Sequence, residues 1–254
     1  LFKNFDEKKN YIPGVYSYAT LQNWVGNNSI PTLIEFEEKY SKLIYDEQRP
    51  CLIVFYDQNG QKADQIEDVL IEFSRRIKGR LVTMQTGIVE AEQKKFAENL
   101  GVKASDLPLV LILDPRQNHA KFKMSSKKVN PVRLRDFVDE WKNGKALRYV
   151  KSAAIPESQE AVTVLVGDTW DEIVLDTTKD VFVELYAPWC GHCQKLEPIW
   201  KELAEKMAHN KDLVIAKVDA TENETGDVHV RGYPAIKFFA ANDKKNPIEY
   251  SRKD

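Results

Sequence analysis

Thiols are almost absent from this sequence. Three cysteines in 254 residues exclude a fold stapled by disulfides and leave stability to hydrophobic cores. An excess of charge of either sign is also missing. Lys and Arg number 37 against 39 Asp and Glu, so no basic field points to nucleic acid and no acidic tail is present. No apolar run reaches the length of a membrane span. The opening residues, LFKNFDEKKN, hold no apolar signal core and do not start with Met. The chain is therefore expected either to have lost a targeting peptide or to begin inside a longer protein. What is present is 43% hydrophobic content, over a length sufficient for two ordinary domains.

The same order of elements occurs twice. In the first half TLIEF (32–36), CLIVFYD (51–57), RLVTMQT (80–86) and LPLVLIL (107–113) are predicted strands. QIEDVLIEFSRRI (65–77), VEAEQKKFAENL (89–100) and PVRLRDFVDEWKNG (131–144) have helical spacing, the second stopping at Gly101 and the third opened by Pro. In the second half VTVLV, VFVELYA, LVIAKVDA and PAIKFFA are predicted strands around an amphipathic helix over 191–208. This alternation predicts an α/β fold with mixed sheets flanked by helices. Continuous apolar strands such as CLIVF and VFVEL suit a sheet covered on both faces. Each half has an apolar strand ending at Tyr56 or Tyr186 and, about fifty residues on, a proline (Pro108 or Pro234) that opens the next strand. Residues 145–160 are polar, contain Pro and lack a period, so they read as a linker.

The duplication does not extend to the thiols. Where the second half has Pro-Trp-Cys-Gly-His-Cys, the first has Gln-Asn-Gly-Gln. A zinc site needs four ligands, and only one Cys pair exists, while His119, His209 and His229 show no ligand spacing. A static disulfide between Cys190 and Cys193 would close a tiny loop and constrain little of the unfolded chain. A redox pair fits the local physics. Cys190 falls at the start of the 191–208 helix, where free N–H groups and the dipole stabilise a thiolate, and His192 adds to this when protonated. Such a pair favours its reduced form and so tends to donate its disulfide. Cys190 then reads as the attacking thiol and Cys193, one turn deeper, as the resolving one. Glu184 interrupts the apolar strand VFVELYA, either as an outward-facing residue or as a buried acid with a role. Cys51 has no partner cysteine in its half and reads as a small buried residue.

ELYAPWCGHCQKLEPIWKELAEK, LVIAKVDAT and RGYPAIKFF closely resemble a catalytic thioredoxin-like domain of the protein disulfide isomerase family. The first half resembles that family's cysteine-free substrate-binding domain, and LFKNFDEKKN the final strands of the non-catalytic domain before it. The resemblance implies two thioredoxin-like domains. Residues 1–14 would end a preceding non-catalytic domain, 15–144 form the substrate-binding domain, 145–160 link, and 161–254 form a catalytic domain truncated before its last helix. It implies a redox site at Cys190, Gly191, His192 and Cys193, with Glu184 the buried acid serving Cys193 and Lys217 its charge partner. Trp189 would cover the site, its alternative being core packing, and Pro234 would be the cis-proline that receives substrate backbone. The family's pKa-tuning Arg has no clean match; Arg252 stands near its place and is not assigned. In the first half Phe36, Tyr45, Leu70, Met84 and Phe96 would line a peptide-binding pocket, over which Leu147, Tyr149 and Val150 of the linker would fold.

The resemblance further implies a thiol–disulfide oxidoreductase and isomerase of the endoplasmic reticulum lumen, needing no cofactor and no metal. Its partners would be unfolded or partly folded secretory polypeptides, glutathione or an upstream thiol oxidase, and a lumenal chaperone or enzyme subunit. A chaperone or a structural subunit with secondary redox activity is the alternative.

Overall fold

The computed structural model describes residues 1–250 apart from Pro13, Val15, Asp227 and His229. His229 and Arg252, both weighed in the sequence, lie outside the described residues. The chain divides into two units, Leu1–Tyr149 and Val150–Asp254.

The first unit runs α1 (Tyr18–Asn28), β1 (Ile34–Glu35), α2 (Ser41–Tyr45), β2 (Cys51–Phe55), α3 (Ala63–Ile77), β3 (Val82–Thr86), α4 (Ala91–Leu100), β4 (Leu109–Asp114), β5 (Ala120–Lys123), α5 (Pro131–Lys142) and β6 (Leu147–Tyr149). Its sheet has the order β1-β3-β2-β4-β5-β6, parallel from β1 to β2 and antiparallel from β2 onward. Every residue of β2 is buried because helices cover both faces. Cys51, Ile53 and Phe55 pack with α2 and α4, while Leu52 and Val54 pack with α3 and α5. Local signals set the helix ends. Glu90 and Gln93 form a reciprocal cap on α4, which therefore starts two residues later than its apolar pattern. Gly101, at φ +83°, stops it in the left-handed region.

Residues 147–149, read as part of a linker, are instead the sixth strand, paired antiparallel with β5. The Tyr149 hydroxyl also donates to the Gly101 carbonyl at 2.7 Å, so the segment extends the sheet edge while Tyr149 packs against the cluster that holds Phe36, Met84 and Phe96. The first residues fold back on themselves through a Phe2–Lys9 bridge. They are tied to this unit by Asp6, whose carboxylate accepts from the Thr32 N–H at 2.9 Å and hydroxyl at 2.6 Å.

The largest aromatic contact in this unit stacks Phe36 on Phe96 at 3.9 Å between centroids, with Phe55 behind at 5.9 Å. Phe96→Ala removes a buried ring that stacks on Phe36 and Phe55. It is expected to destabilise the first unit by about 3–5 kcal/mol, read as a lower denaturant midpoint for that unit.

The second unit runs β7 (Thr163–Leu165), α6 (Gly167–Val174), β8 (Asp180–Tyr186), α7 (Gly191–Met207), β9 (Leu213–Asp219), β10 (Ala235–Ala240) and β11 (Asp243–Glu249). The sheet order is β11-β10-β8-β9-β7, which makes β8 central. Val181, Val183 and Leu185 face α6, leaving Phe182 and Glu184 on the α7 side. The Trp200 indole N–H, donating to the Ala216 carbonyl at 3.0 Å, pins α7 to β9. In both units the peptide before the strand antiparallel to the central one is cis, at Leu107–Pro108 and Tyr233–Pro234, matching the prolines whose spacing repeats in the sequence. No helix among the described residues is long and apolar enough to cross a membrane.

Candidate active site

Chemistry concentrates where β8 gives way to α7. The Cys190 N–H donates to the Ala187 carbonyl at 3.0 Å, and the Gln194 amide closes the turn on the Pro188 carbonyl at 2.9 Å. Cys190 is thereby the N-cap of α7, with Gly191, His192 and Cys193 in the first turn. Free N–H groups and the helix dipole favour negative charge at this end.

Those donors fall unequally on the two thiols. The Cys190 thiol is pulled below its ordinary value, first by a hydrogen bond from the Cys193 side chain, then by the Cys193 N–H, with the His192 N–H adding to them. His192 contributes here through its backbone, while its side chain is exposed. The Cys190 thiol also donates to the Tyr233 carbonyl at 3.4 Å, so the residue before Pro234 is the one that touches the thiol. Cys193 is buried, and burial pushes its thiol up to about 11. One thiol is poised to ionise and the other is held protonated.

Beneath Cys193 lies Glu184, only 2% exposed. Of the two sequence-level readings of Glu184, the buried acid is the one observed. Burial pushes its carboxyl up to about 7; Lys217 draws it back and Glu197 raises it further. A cavity of about 300 Å³ joins Glu184 to Cys193, and Tyr186, Glu197 and Lys217 share its wall. Lys217 is the strand-register neighbour of Glu184 and acts on it through space. Its ion pair, however, is with Glu197 at 2.9 Å, a residue the sequence reading passed over. The signal was available: Glu197 follows Cys193 by four positions in a helix, which puts both on one face.

Both thiols are largely covered, Cys190 at 8% and Cys193 at 4% exposed, while residues beside them are open. Trp189 is 74% exposed and meets Tyr233 edge-on at 5.9 Å, which overturns the core-packing alternative. A Cβ on Gly191 would meet nothing within 4 Å, so the glycine leaves room beside the thiols and satisfies no backbone demand. Among the described residues no three His, Cys, Asp or Glu side chains converge to hold a metal ion.

The five residues assigned to a first-unit pocket do not share a surface. Phe36, Met84 and Phe96 belong to the buried cluster on one face of the sheet, whereas Leu70 belongs to the cluster on the other. Only Tyr45 is exposed, stacked on His119 at 5.6 Å. Helices α2 and α4 cover one face and α3 the other, so apolar residues of this spacing became core. Cys51 is fully buried at the start of β2, and burial pushes its thiol far above its ordinary value.

Three environments predict three reactivities. Iodoacetamide at pH 7 is expected to label Cys190 first and Cys193 more slowly. Cys51 should be labelled only after unfolding, as read by peptide mass spectrometry.

Comparison with known proteins finds thioredoxin-like matches for both units. The Thioredoxin family profile matches residues 161–254 and the Thioredoxin-like domain profile matches residues 1–140. The protein disulfide-isomerase of Gallus gallus is 31% identical over 254 residues, covering 99% of this chain and 49% of that protein. That of Oryctolagus cuniculus is 32% identical, covering 99% and 50%. That of Aspergillus oryzae is 36% identical over 255 residues, covering 98% and 48%. The chain spans about half the length of the curated relatives it matches.

Proposed function

The chain belongs to the protein disulfide isomerase family of thioredoxin-like proteins, and we propose that its second unit is a thiol–disulfide oxidoreductase and isomerase acting on polypeptides. One observation carries this reading: a lowered Cys190 thiol set above a raised Cys193 thiol, with Glu184 across a shared cavity.

The steps follow from those positions. The Cys190 thiolate attacks one sulfur of a substrate disulfide, and the other substrate sulfur leaves as a thiolate. Cys193 then passes its proton to the Glu184 carboxylate and attacks the Cys190 sulfur. The second substrate thiolate leaves and a Cys190–Cys193 disulfide forms, so two electrons have moved from the protein to the substrate. Run backward, the same steps oxidise a substrate dithiol. If a substrate thiol attacks the mixed disulfide before Cys193 does, the substrate is rearranged with no net transfer. A carboxyl near 7 suits both directions, since it accepts and returns a proton at neutral pH. Regain of activity by a scrambled, disulfide-bonded enzyme in a glutathione buffer tests this. Acceleration at catalytic protein concentration is the expected result, and a rate equal to that of glutathione alone would refute the assignment.

The wider reading places this chemistry on unfolded or partly folded secretory polypeptides in the endoplasmic reticulum lumen. Glutathione or an upstream thiol oxidase would be the exchange partner, and a lumenal chaperone or enzyme subunit a further associate. The first unit, which lacks a thiol pair, is assigned a chaperone-like peptide-binding role centred on exposed Tyr45, in place of the buried set around it. Tyr45→Ala is expected to weaken binding of a fluorescent unfolded peptide severalfold while leaving glutathione exchange at Cys190 unchanged. Equal loss of both would mean a damaged fold and no binding role for this face.

A further inference from the structure

Glu197 lies outside the thiol motif, yet it holds Lys217, the cation that lines the cavity between Glu184 and Cys193. Lys217 and Glu184 are register neighbours on adjacent parallel strands, and their side chains share the α7 side of the sheet. That is the arrangement in which an ammonium would be expected to close on a buried carboxylate. No hydrogen bond or ion pair joins these two described residues. The Lys217 ammonium lies 5.7 Å from the centre of the Tyr186 ring and 2.9 Å from a Glu197 carboxylate oxygen. Glu197 is reached from α7, one turn below Cys193, and its side chain is 64% exposed while that of Lys217 is 23% exposed.

We propose that Glu197 is a positioning residue for proton transfer from Cys193: it anchors the Lys217 ammonium at the solvent rim of the cavity and so keeps it from pairing with Glu184. The proposal rests on the oxidoreductase reading above and deepens it. The charged and titratable groups facing Glu184 are few. They are Tyr186 on β8, Lys217 on β9, Cys190 at the start of α7, Cys193, Glu197 and Lys201 on α7, and Glu160 on the segment before β7. Lys201 is engaged by Glu160 at 3.3 Å, which leaves Lys217 as the cation with a choice of partner. A Lys217–Glu184 pair would fix the carboxylate in its ionised form and make it a poorer base for a buried thiol. Glu197 prevents that by offering the ammonium a partner with less desolvation. The tuning agrees in sign: Glu197 raises the Glu184 carboxyl while Lys217 lowers it.

The test follows ring closure in one turnover. A glutathione adduct is formed on Cys190 of the full chain. Attack by Cys193 then releases glutathione thiolate and forms the Cys190–Cys193 disulfide, with acid quenching and mass spectrometry from pH 4 to 9. Glu197→Gln is expected to move the inflection of the rate profile to lower pH by about half a unit or more and to lower its neutral-pH rate about threefold. Glu197→Asp should restore most of the profile. In a Lys217→Met background, Glu197→Gln should have less than about a third of that effect, since the cation it held is gone. An unshifted Glu197→Gln profile, with an inflection that Glu184→Gln still abolishes, overturns the role of Glu197 and leaves that of Glu184 standing. An undiminished effect in the Lys217→Met background overturns it too, because Glu197 would then act as a bare charge. If Glu184→Gln leaves the inflection in place, the acid role of Glu184 fails and the proposal falls with it.

Discussion

Cys193→Ser is expected to turn the protein into a trap. A disulfide-bonded polypeptide is still attacked by Cys190, since a serine hydroxyl can donate where the Cys193 side chain does and serine keeps the Cys193 N–H, but no neighbouring protein thiol remains to release it. Covalent adducts should accumulate to near stoichiometry and survive denaturing, non-reducing electrophoresis. Net oxidation and reduction of substrates should fall to the uncatalysed background, while rearrangement by a substrate's own thiol, which needs only Cys190, is the one route left. Cys190→Ser should also lose turnover yet trap nothing, because Cys193 is buried and held protonated at neutral pH. The asymmetry is the informative part. Equal adduct yields from the two variants would show that the thiols are interchangeable and that the helix start assigns no roles.

Glu184→Gln is expected to have two effects of opposite benefit. Removing the proton acceptor should slow closure of a Cys190 mixed disulfide by about a hundredfold near pH 7, the lower end of what a positioned acid–base group contributes. The deficit should shrink as pH rises toward 11, where Cys193 ionises unaided. Stability should move the other way. The Glu184 carboxyl is raised from 4.5 to about 7 by folding, so the folded state binds the proton more tightly than the unfolded one. The native state is therefore favoured fully below pH 4.5 and loses that advantage as pH rises from 4.5 through 7. Above pH 7 the ionised acid destabilises the fold by about 3 kcal/mol. Glutamine cannot ionise, so the variant should be more stable than the parent at pH 8 and should lose the share of the slope that Glu184 contributes over that window. Denaturation midpoints at pH 4 and pH 8 measure it. A parent and variant with the same difference between the two pH values would mean that Glu184 titrates at its ordinary value.

Much of this could be read from residues alone. Apolar runs without alternation gave the covered strands, and Gly101 and Pro131 marked a helix end and a helix start where they occur. The position of Cys190 at the start of α7 followed from Pro-Trp-Cys-Gly-His-Cys lying between an apolar strand and an amphipathic helix. Three things were less legible. Leu147–Tyr149 form a three-residue edge strand, too short and too polar on the outside to show a period, so the sheet claims them only through tertiary pairing. Phe36, Leu70, Met84 and Phe96 have the composition of a binding pocket, but composition cannot tell a lined groove from an interior. Which face each side chain takes is decided by helices arriving from distant sequence. The ion pair of Lys217 was missed for a similar reason: a lone Lys on a neighbouring strand suggested Glu184, while an ammonium settles where its desolvation is smaller, at Glu197.

The seclusion of Cys51 gives the first unit a chemical clock. A thiol with no exposed surface at the head of β2 is modified only during the moments when that sheet opens. If closing outpaces labelling, the labelling rate equals the opening equilibrium constant times the reactivity of a free thiol, the same relation used for amide hydrogen exchange. Cys190 and Cys193 sit in the second unit, so once they are blocked the remaining signal reports the first unit alone. Local opening free energies can then be followed under turnover conditions with a single natural probe. Ligands that engage the first unit would register as a slowing of that clock, whether or not they alter any redox rate.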